Sequence, residues 1–263
     1  MPTPLKEAYG LDWPRSIRLL ASDMDGTMTA NGKFSPELIS SLERLRRHGI
    51  KVILITGRSA GWVSGLAAML PISGAVAENG GIFFEPTETS RGRELTSMPH
   101  GVAQHRAALQ AMFERLQANH PIIHEAPDNR FRITDWTYSV EGLDGPTLAG
   151  MARLCDEQGF DFTYSNVQCH ILPRGQNKAQ ALLRLTRDLP DFRFSTNEMV
   201  TLGDSPNDET MFDAALFPHS IGVANVLRYS QTIRHLPTYV TAGAEVAGFV
   251  ETAEFLIGCS TII

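Results

Sequence analysis

The sequence predicts an α/β fold in which a parallel sheet, covered by helices on both faces, is interrupted by an inserted α+β unit. Three observations predict it. Short apolar runs of strand length end at Asp23, at Thr56 and at Gly203-Asp204. Helical patterns lie between those runs, as parallel pairing requires. The alternation breaks off near Glu85 and resumes at about Lys178.

Residues 17–22 (I-R-L-L-A-S) are mainly apolar and read as a buried strand that delivers Asp23 into a loop. Ser35-Pro36-Glu37 is a helix start, with a hydroxyl cap, proline in the first turn and an acidic residue behind it. Apolar side chains at 38, 39, 42 and 45 continue that helix until Gly49 stops it. Residues 51–55 (K-V-I-L-I) form the next strand, ending at Thr56-Gly57-Arg58, with Ser59 a candidate cap for the helix that follows. A helix over 62–70 and a strand over 74–77 come next, before the turn-forming Glu78-Asn79-Gly80-Gly81.

Residues 87–99 are polar and turn-rich and read as a linker. Beyond them the pattern gives a helix over 102–118, a strand over 131–134, a helix over 146–158 and paired strands over 160–164 and 167–172. The parallel rhythm returns with a helix over 178–187, a strand over 199–202 and a loop over 203–208. Short closing strands are expected at 221–223 and 239–240. Residues 1–84 and 174–263 are thus expected to form one domain, with 85–173 inserted into it.

Bulk properties narrow the function. The 263 residues carry a net charge of -6, which argues against a general nucleic-acid binder. Cys155, Cys169 and Cys259 are far apart and form no paired motif, so a reducing cytoplasm is the expected compartment. The first residues contain Pro2, Pro4 and Pro14 and do not read as a signal peptide. No run approaches the roughly 20 apolar residues that span a bilayer. A small-molecule partner is expected, with no membrane or nucleic-acid partner, in a monomer or homodimer.

Chemistry concentrates at the strand ends, where ligands bind in such sheets. Asp23 and Asp25 stand two apart on an extended chain and can take different tasks. One carboxylate can attack phosphorus while the other moves protons. Gly26 permits the tight turn between them. Thr56 and the Gly57 amide are donors suited to phosphate oxygens, and Arg58 adjoins them. Lys178, at a helix start, can offset phosphate charge or hold a carboxylate ionised. Asp204, Asn207 and Asp208 follow a buried strand and suit Mg²⁺, which prefers oxygen ligands. Each motif alone has a plainer reading, as an acidic turn, a helix cap or a surface lysine. Together they cover every role that carboxylate attack on phosphate demands.

With these motifs the sequence resembles the haloacid dehalogenase-like superfamily of phosphohydrolases. The matching segments are Asp23-Met-Asp25-Gly-Thr27, Thr56-Gly-Arg58, Lys178 and Gly203-Asp204-Ser-Pro-Asn207-Asp208, within residues 17–84 and 174–250. The resemblance implies a Rossmann-like parallel-sheet core with a C2B-type cap of subclass IIB. It implies a phosphorylated nucleophile at Asp23 and an acid/base at Asp25. Phosphate would be held by Thr56, Gly57, Arg58, Lys178 and Asn207. Mg²⁺ would sit on Asp23, the Asp25 carbonyl and Asp204, with Asp208 in the metal site but outside direct coordination. Segment 77–81 is similar to that of Cof-like, sucrose-phosphate, mannosyl-3-phosphoglycerate and archaeal phosphoglycolate phosphatases. Lys178 departs from the pattern, because no acidic residue or serine precedes it.

The implied activity is Mg²⁺-dependent hydrolysis of a small phosphomonoester. A sugar phosphate, a sugar-phosphoglycerate and a phosphoglycolate-like acid are all open. A sugar phosphomutase and a non-catalytic binding protein on the same fold are the alternatives; intact Asp23 and Asp25 weigh against the second. Arg130, Arg132, Asn166 and His170, on or beside strands of the inserted unit, are candidates to face the cleft and set specificity, or else face water.

Overall fold

The computed structural model describes residues 1–87, 89–165 and 167–259. Strands β1 (Thr3–Pro4), β2 (Leu19–Ser22), β3 (Lys51–Ile55), β4 (Gly74–Ala77), β5 (Ile82–Phe84) and β6 (Arg93–Glu94) enter one sheet. Strands β7 (Trp136–Ser139), β8 (Phe160–Tyr164) and β9 (Gln168–Pro173) form a second. The chain then returns to the first with β10 (Met199–Gly203), β11 (Ser220–Gly222) and β12 (Tyr239–Val240). Among the described residues six α-helices pack on these sheets: α1 (Pro36–Arg47), α2 (Ala60–Met69), α3 (Gly101–Asn119), α4 (Gly145–Glu157), α5 (Lys178–Asp188) and α6 (Glu245–Cys259).

The larger sheet runs β1-β12-β11-β10-β2-β3-β4-β5-β6. It is parallel from β1 through β4 and antiparallel at β5 and β6. Its central strands are buried on both faces, and their side chains alternate between two apolar layers. Leu20 and Leu54 pack with Leu42, Val63 and Phe249 beneath α1, α2 and α6. Leu19, Ala21, Ile53 and Ile55 pack with Leu182, Leu185 and Met211 on the α5 side. Each of these side chains except Ala21 contributes about 1.5–3 kcal/mol through burial. Register decides where the site lies. Leu202 pairs with Ser22, and Ser22 with Leu54, so the carboxyl ends of β10, β2 and β3 lie side by side.

The smaller sheet, ordered β7-β9-β8, is antiparallel. Cys169 and Ile171 of β9 join Leu109, Phe113, Tyr138 and Met151 in a separate apolar core under α3 and α4. His170 points to the other face by the same alternation.

Four local expectations give way. The strand expected at 131–134 is β7, several residues later. Pro127–Phe131 winds into a 3₁₀ turn, and the N–H groups of Ile133 and Thr134 are spent on Glu78 rather than on a ladder. The presumed linker supplies β6, which closes the edge of the larger sheet against β5. Ser59 occupies the cap position of α2 without a side-chain cap bond, and the Ala60 N–H donates to Glu78 at 2.8 Å instead. The segment after Asp204 is a 3₁₀ helix, Pro206–Phe212, started by a Ser205/Asp208 capping box.

Candidate active site

Asp23 leaves the end of β2 and Asp204 the end of β10, the neighbouring strand. Between them the chain turns at Gly26 (φ +84°), where a Cβ would stand 2.5 Å from Oδ2 of Asp204. Glycine is therefore required twice here, for the left-handed backbone and for the close approach. Thr27 donates its hydroxyl to Asp204 at 3.3 Å. Asn225 donates to Asp204 at 2.8 Å and to the Gly26 carbonyl at 3.0 Å, joining the two strand ends.

Lys178 is the first residue of α5, fixed there by the Asn177 cap on Gln180 N–H at 2.9 Å. Its fully buried ammonium donates to Asp23 at 2.5 Å and to Asp208 at 2.7 Å. Oδ2 of Asp208 accepts from the N–H groups of Asp204 and Ser205 at 2.9 and 3.1 Å. Asp208 thus spends both oxygens on placing Lys178 and the 203–208 loop.

The electrostatics are those of crowded carboxylates in a dry place. Burial raises Asp23, Lys178 pulls it down, and Asp208 and Asp25 raise it again, leaving it at about 7. Burial, then Asp23 and Asp208, raise Asp204 to about 9. For Lys178 burial disfavours the charge, but Asp208 and Asp23 outweigh it and raise the ammonium above its ordinary value. Among the described residues, Asp23, Asp204 and Asp208 can bring one oxygen each within 4.8 Å of one another. Such a donor set, all oxygen and in excess of nearby positive charge, fits a hard divalent cation.

The third strand end supplies Thr56, Gly57 and Arg58. Thr56 Oγ1 accepts from the Arg58 N–H at 3.2 Å, which leaves the hydroxyl hydrogen to donate elsewhere. The Arg58 guanidinium grips Asp25 through two bonds of 2.7 and 2.8 Å and lies over Trp62. Arg58 therefore reaches the cleft, but engaged with the second aspartate rather than free.

The smaller unit closes over these groups. A cavity of about 20 Å³, room for about one water molecule, is lined by Asp23, Asp25, Thr56 and Asn207 from below and by Gln168 and His170 from above. His170 is buried and shares its Nδ1 with Asp135 at 2.8 Å. Burial would raise Asp135, yet Arg132 and His170 hold it below the usual carboxylate range.

The other candidates of the inserted unit stand elsewhere. Arg132 does not face the cleft. It is buried, paired with Asp128 and Asp135, and donates to the Gly57 carbonyl at 2.9 Å, so it fastens one unit to the other. Arg130 is exposed against the Phe131 ring and does not line the cavity, because the 3₁₀ turn carries it outward. Asn166 lies outside the described residues.

His170 gives a pH test. Burial holds the imidazole below its ordinary 6.5, against the pull of Asp135. As pH falls through that value the unfolded chain takes up a proton that the folded chain refuses, so stability falls. Urea unfolding at about pH 7.5 and about pH 5.5 is expected to show the parent losing more stability than His170→Gln. Equal losses would contradict a buried, neutral imidazole.

Sequence reading missed Asn225, Glu78, Asn79 and Asp135. The first three follow β11 and β4, and the rule that exposed Asp23 and Thr56 applies equally to the ends of those strands. Glu78 accepts from Ala60, Ile133 and Thr134 at 2.6–3.1 Å and so clamps the two units together. Asp135 carried no such signal, since its partners are set by packing.

A family model for haloacid dehalogenase-like hydrolases matches residues 20–119 and 148–249. The chain belongs to the haloacid dehalogenase-like hydrolases. A phosphoglycolate phosphatase from Methanothrix thermoacetophila is 26% identical over 243 residues, spanning 91% of this chain and 97% of that one. Another, from Thermoplasma acidophilum, is 27% identical over 201 residues, or 74% and 81% of the two chains. Among solved structures, a Thermoplasma acidophilum protein superposes with a TM-score of 0.72 at 23% identity, covering 91% of this chain and 98% of its own. The sucrose-phosphatase from Synechocystis, solved with sucrose and phosphate, gives 0.67 at 18% identity over 92% and 98%. These two structures share the fold of this chain. Family and relatives together make the chain a phosphatase acting on small phosphate substrates. No helix among the described residues is long and apolar enough to cross a membrane.

Proposed function

We propose that this chain hydrolyses a small phosphomonoester through an aspartyl-phosphate on Asp23, with Mg²⁺ as cofactor. The supporting observation is the single buried cluster in which Lys178 bridges Asp23 and Asp208 beside Asp204. An attacking carboxylate and a phosphoryl group repel each other, and this cluster is built to offset that repulsion.

In the first step an Asp23 oxygen attacks phosphorus. The bond to the leaving oxygen breaks, and Asp25 supplies the proton that oxygen needs. In the second, Asp25 takes a proton from water, whose oxygen attacks phosphorus and releases Asp23 with inorganic phosphate. Lys178, Thr56 and the Gly57 N–H hold the phosphoryl oxygens, with Asn207 at the rim of the cleft. Arg58 holds Asp25 in place between steps. Asp23, Asp204 and the Asp25 carbonyl would hold the cation, which would neutralise phosphate charge. Asp208 acts through Lys178.

The smaller unit, which lies within residues 85–173 after β6 has joined the larger sheet, acts as a cap. It offers Gln168 and His170 to the leaving group, close above the nucleophile. That favours a short leaving group, and the phosphoglycolate phosphatases among the relatives make a two-carbon phosphorylated acid the first substrate to try.

Phosphate release from a panel of phosphomonoesters, with Mg²⁺ and with EDTA, tests the proposal. At least one small ester is expected to turn over with Mg²⁺ and to stop with EDTA. Mg²⁺ alone is expected to raise the melting temperature, because it binds only the folded chain. Turnover that persists in EDTA would remove the cation from the reading. Interconversion of phosphate isomers without release would replace hydrolysis with phosphoryl transfer.

A further inference from the structure

Asn79 follows the end of β4 and is only 1% exposed. Its backbone sits in the left-handed region at φ +53°, directly after Glu78 at +56°. Two successive non-glycine residues in that region are costly, and here they are held by Glu78 N–H on the Arg58 carbonyl and Asn79 N–H on the Thr56 carbonyl. The strained turn is therefore hydrogen-bonded to the phosphate-binding turn itself.

The side chain is ordered on one side only. The Ser205 hydroxyl donates to Asn207 Oδ1 at 2.6 Å, and Asn207 Nδ2 donates to Asn79 Oδ1 at 3.4 Å. That relay leaves Nδ2 of Asn79 on the opposite side, buried and without any hydrogen-bond partner. Gly57 places this nitrogen beside the phosphate-binding turn, although Asn79 does not itself line the small cavity. A Cβ on Gly57 would lie 3.1 Å from this nitrogen and 3.1 Å from Nε2 of His170. A core amide and a cap imidazole thus flank the turn on which the phosphoryl oxygens are to rest, and any side chain on Gly57 would fill the gap between them. Buried donors are nearly always paired in native structures, and the exceptions call for a ligand or a functional reason.

We propose that Asn79 is a further catalytic residue, donating through Nδ2 to a non-bridging oxygen of the phosphoryl group bound at Thr56 and Gly57. The proposal rests on the phosphatase mechanism above. The donor is pre-oriented and dry, so its bond to the oxygen strengthens as charge gathers there. His170, opposite, keeps water out of the same gap.

Two variants test this. Asn79→Asp keeps the shape and removes the donor; Asn79→Gly suits the left-handed backbone and removes the side chain. Each is assayed for aryl phosphate turnover with Mg²⁺, for inhibition by inorganic phosphate, and for melting temperature without phosphate. Both are expected to lose about 10²-fold in kcat/KM and to need at least about tenfold more phosphate for inhibition. Asn79→Gly is expected to melt within about 3 °C of the parent, because the bond it gives up, from Asn207 at 3.4 Å, is long and Nδ2 has none to lose. Parent-like inhibition by phosphate in both variants would overturn the proposal and leave the Asp23 mechanism standing. So would normal turnover by Asn79→Asp alone, which would place the amide oxygen, not the nitrogen, toward the cleft. Activity lost only in proportion to a fall in melting temperature would reduce Asn79 to a structural part. A parent that neither turns over nor binds phosphate would sink this proposal and the hydrolase reading together.

Discussion

Asp23→Asn is expected to lower phosphate release by roughly 10⁴-fold or more while the chain stays folded. The amide cannot attack phosphorus, and no neighbour can stand in. Asp204 is held by Thr27 and Asn225, and Asp208 by Lys178 and two N–H groups. The fold survives because Lys178 keeps its 2.7 Å partner in Asp208. One carboxylate also leaves a cluster in which burial and neighbouring carboxylates, against Lys178, already raise Asp23 to about 7. Acid-quenched turnover should trap a phosphorylated chain in the parent and none in the variant. Parent-like release by Asp23→Asn would end the covalent mechanism.

Lys178→Met is expected to be worse for the fold. It removes the only group within the cluster that lowers both Asp23 and Asp204, and strands their charge in a buried site. Breaking a buried ion pair from one side costs about 3–5 kcal/mol. Asp23 then loses the partner that favours its charged form, so more of the nucleophile carries a proton and cannot attack. Loss of activity and loss of stability should therefore appear together. Melting and turnover measured across pH check both. Recovery of activity toward alkaline pH, as Asp23 is forced to ionise, is the signature expected of this cause. A stable, active Lys178→Met would place the ammonium outside the mechanism.

The parts of this site written in the sequence are those that depend on strand ends. A buried run followed by Asp23, Thr56 or Asp204 needs no knowledge of distant residues, and the parallel rhythm alone makes those ends neighbours. What the sequence does not display is pairing across long separations. Glu78 and Thr134 are 56 positions apart, yet their contact takes the N–H groups that a strand at 131–134 would have needed. Arg132 looked like a residue free to meet substrate because the Gly57 carbonyl, 75 positions away, does not show in the sequence, and nearby Asp128 and Asp135 were not read as its partners. Arg58 likewise pairs with Asp25, 33 positions away, rather than standing open to phosphate. Asn79 and Asn225 were within reach, since both lie just past a strand, but amides draw less notice than carboxylates.

The cavity between Asp23 and His170 also bears on experiments with crystals. A space of about 20 Å³ admits no ester, so molecules packed in this shut form would exclude a diffusing compound. Growth from a solution already containing a phosphate mimic, rather than soaking afterwards, is the route to an occupied complex. Lattices that tolerate soaking should be those that hold the two units apart.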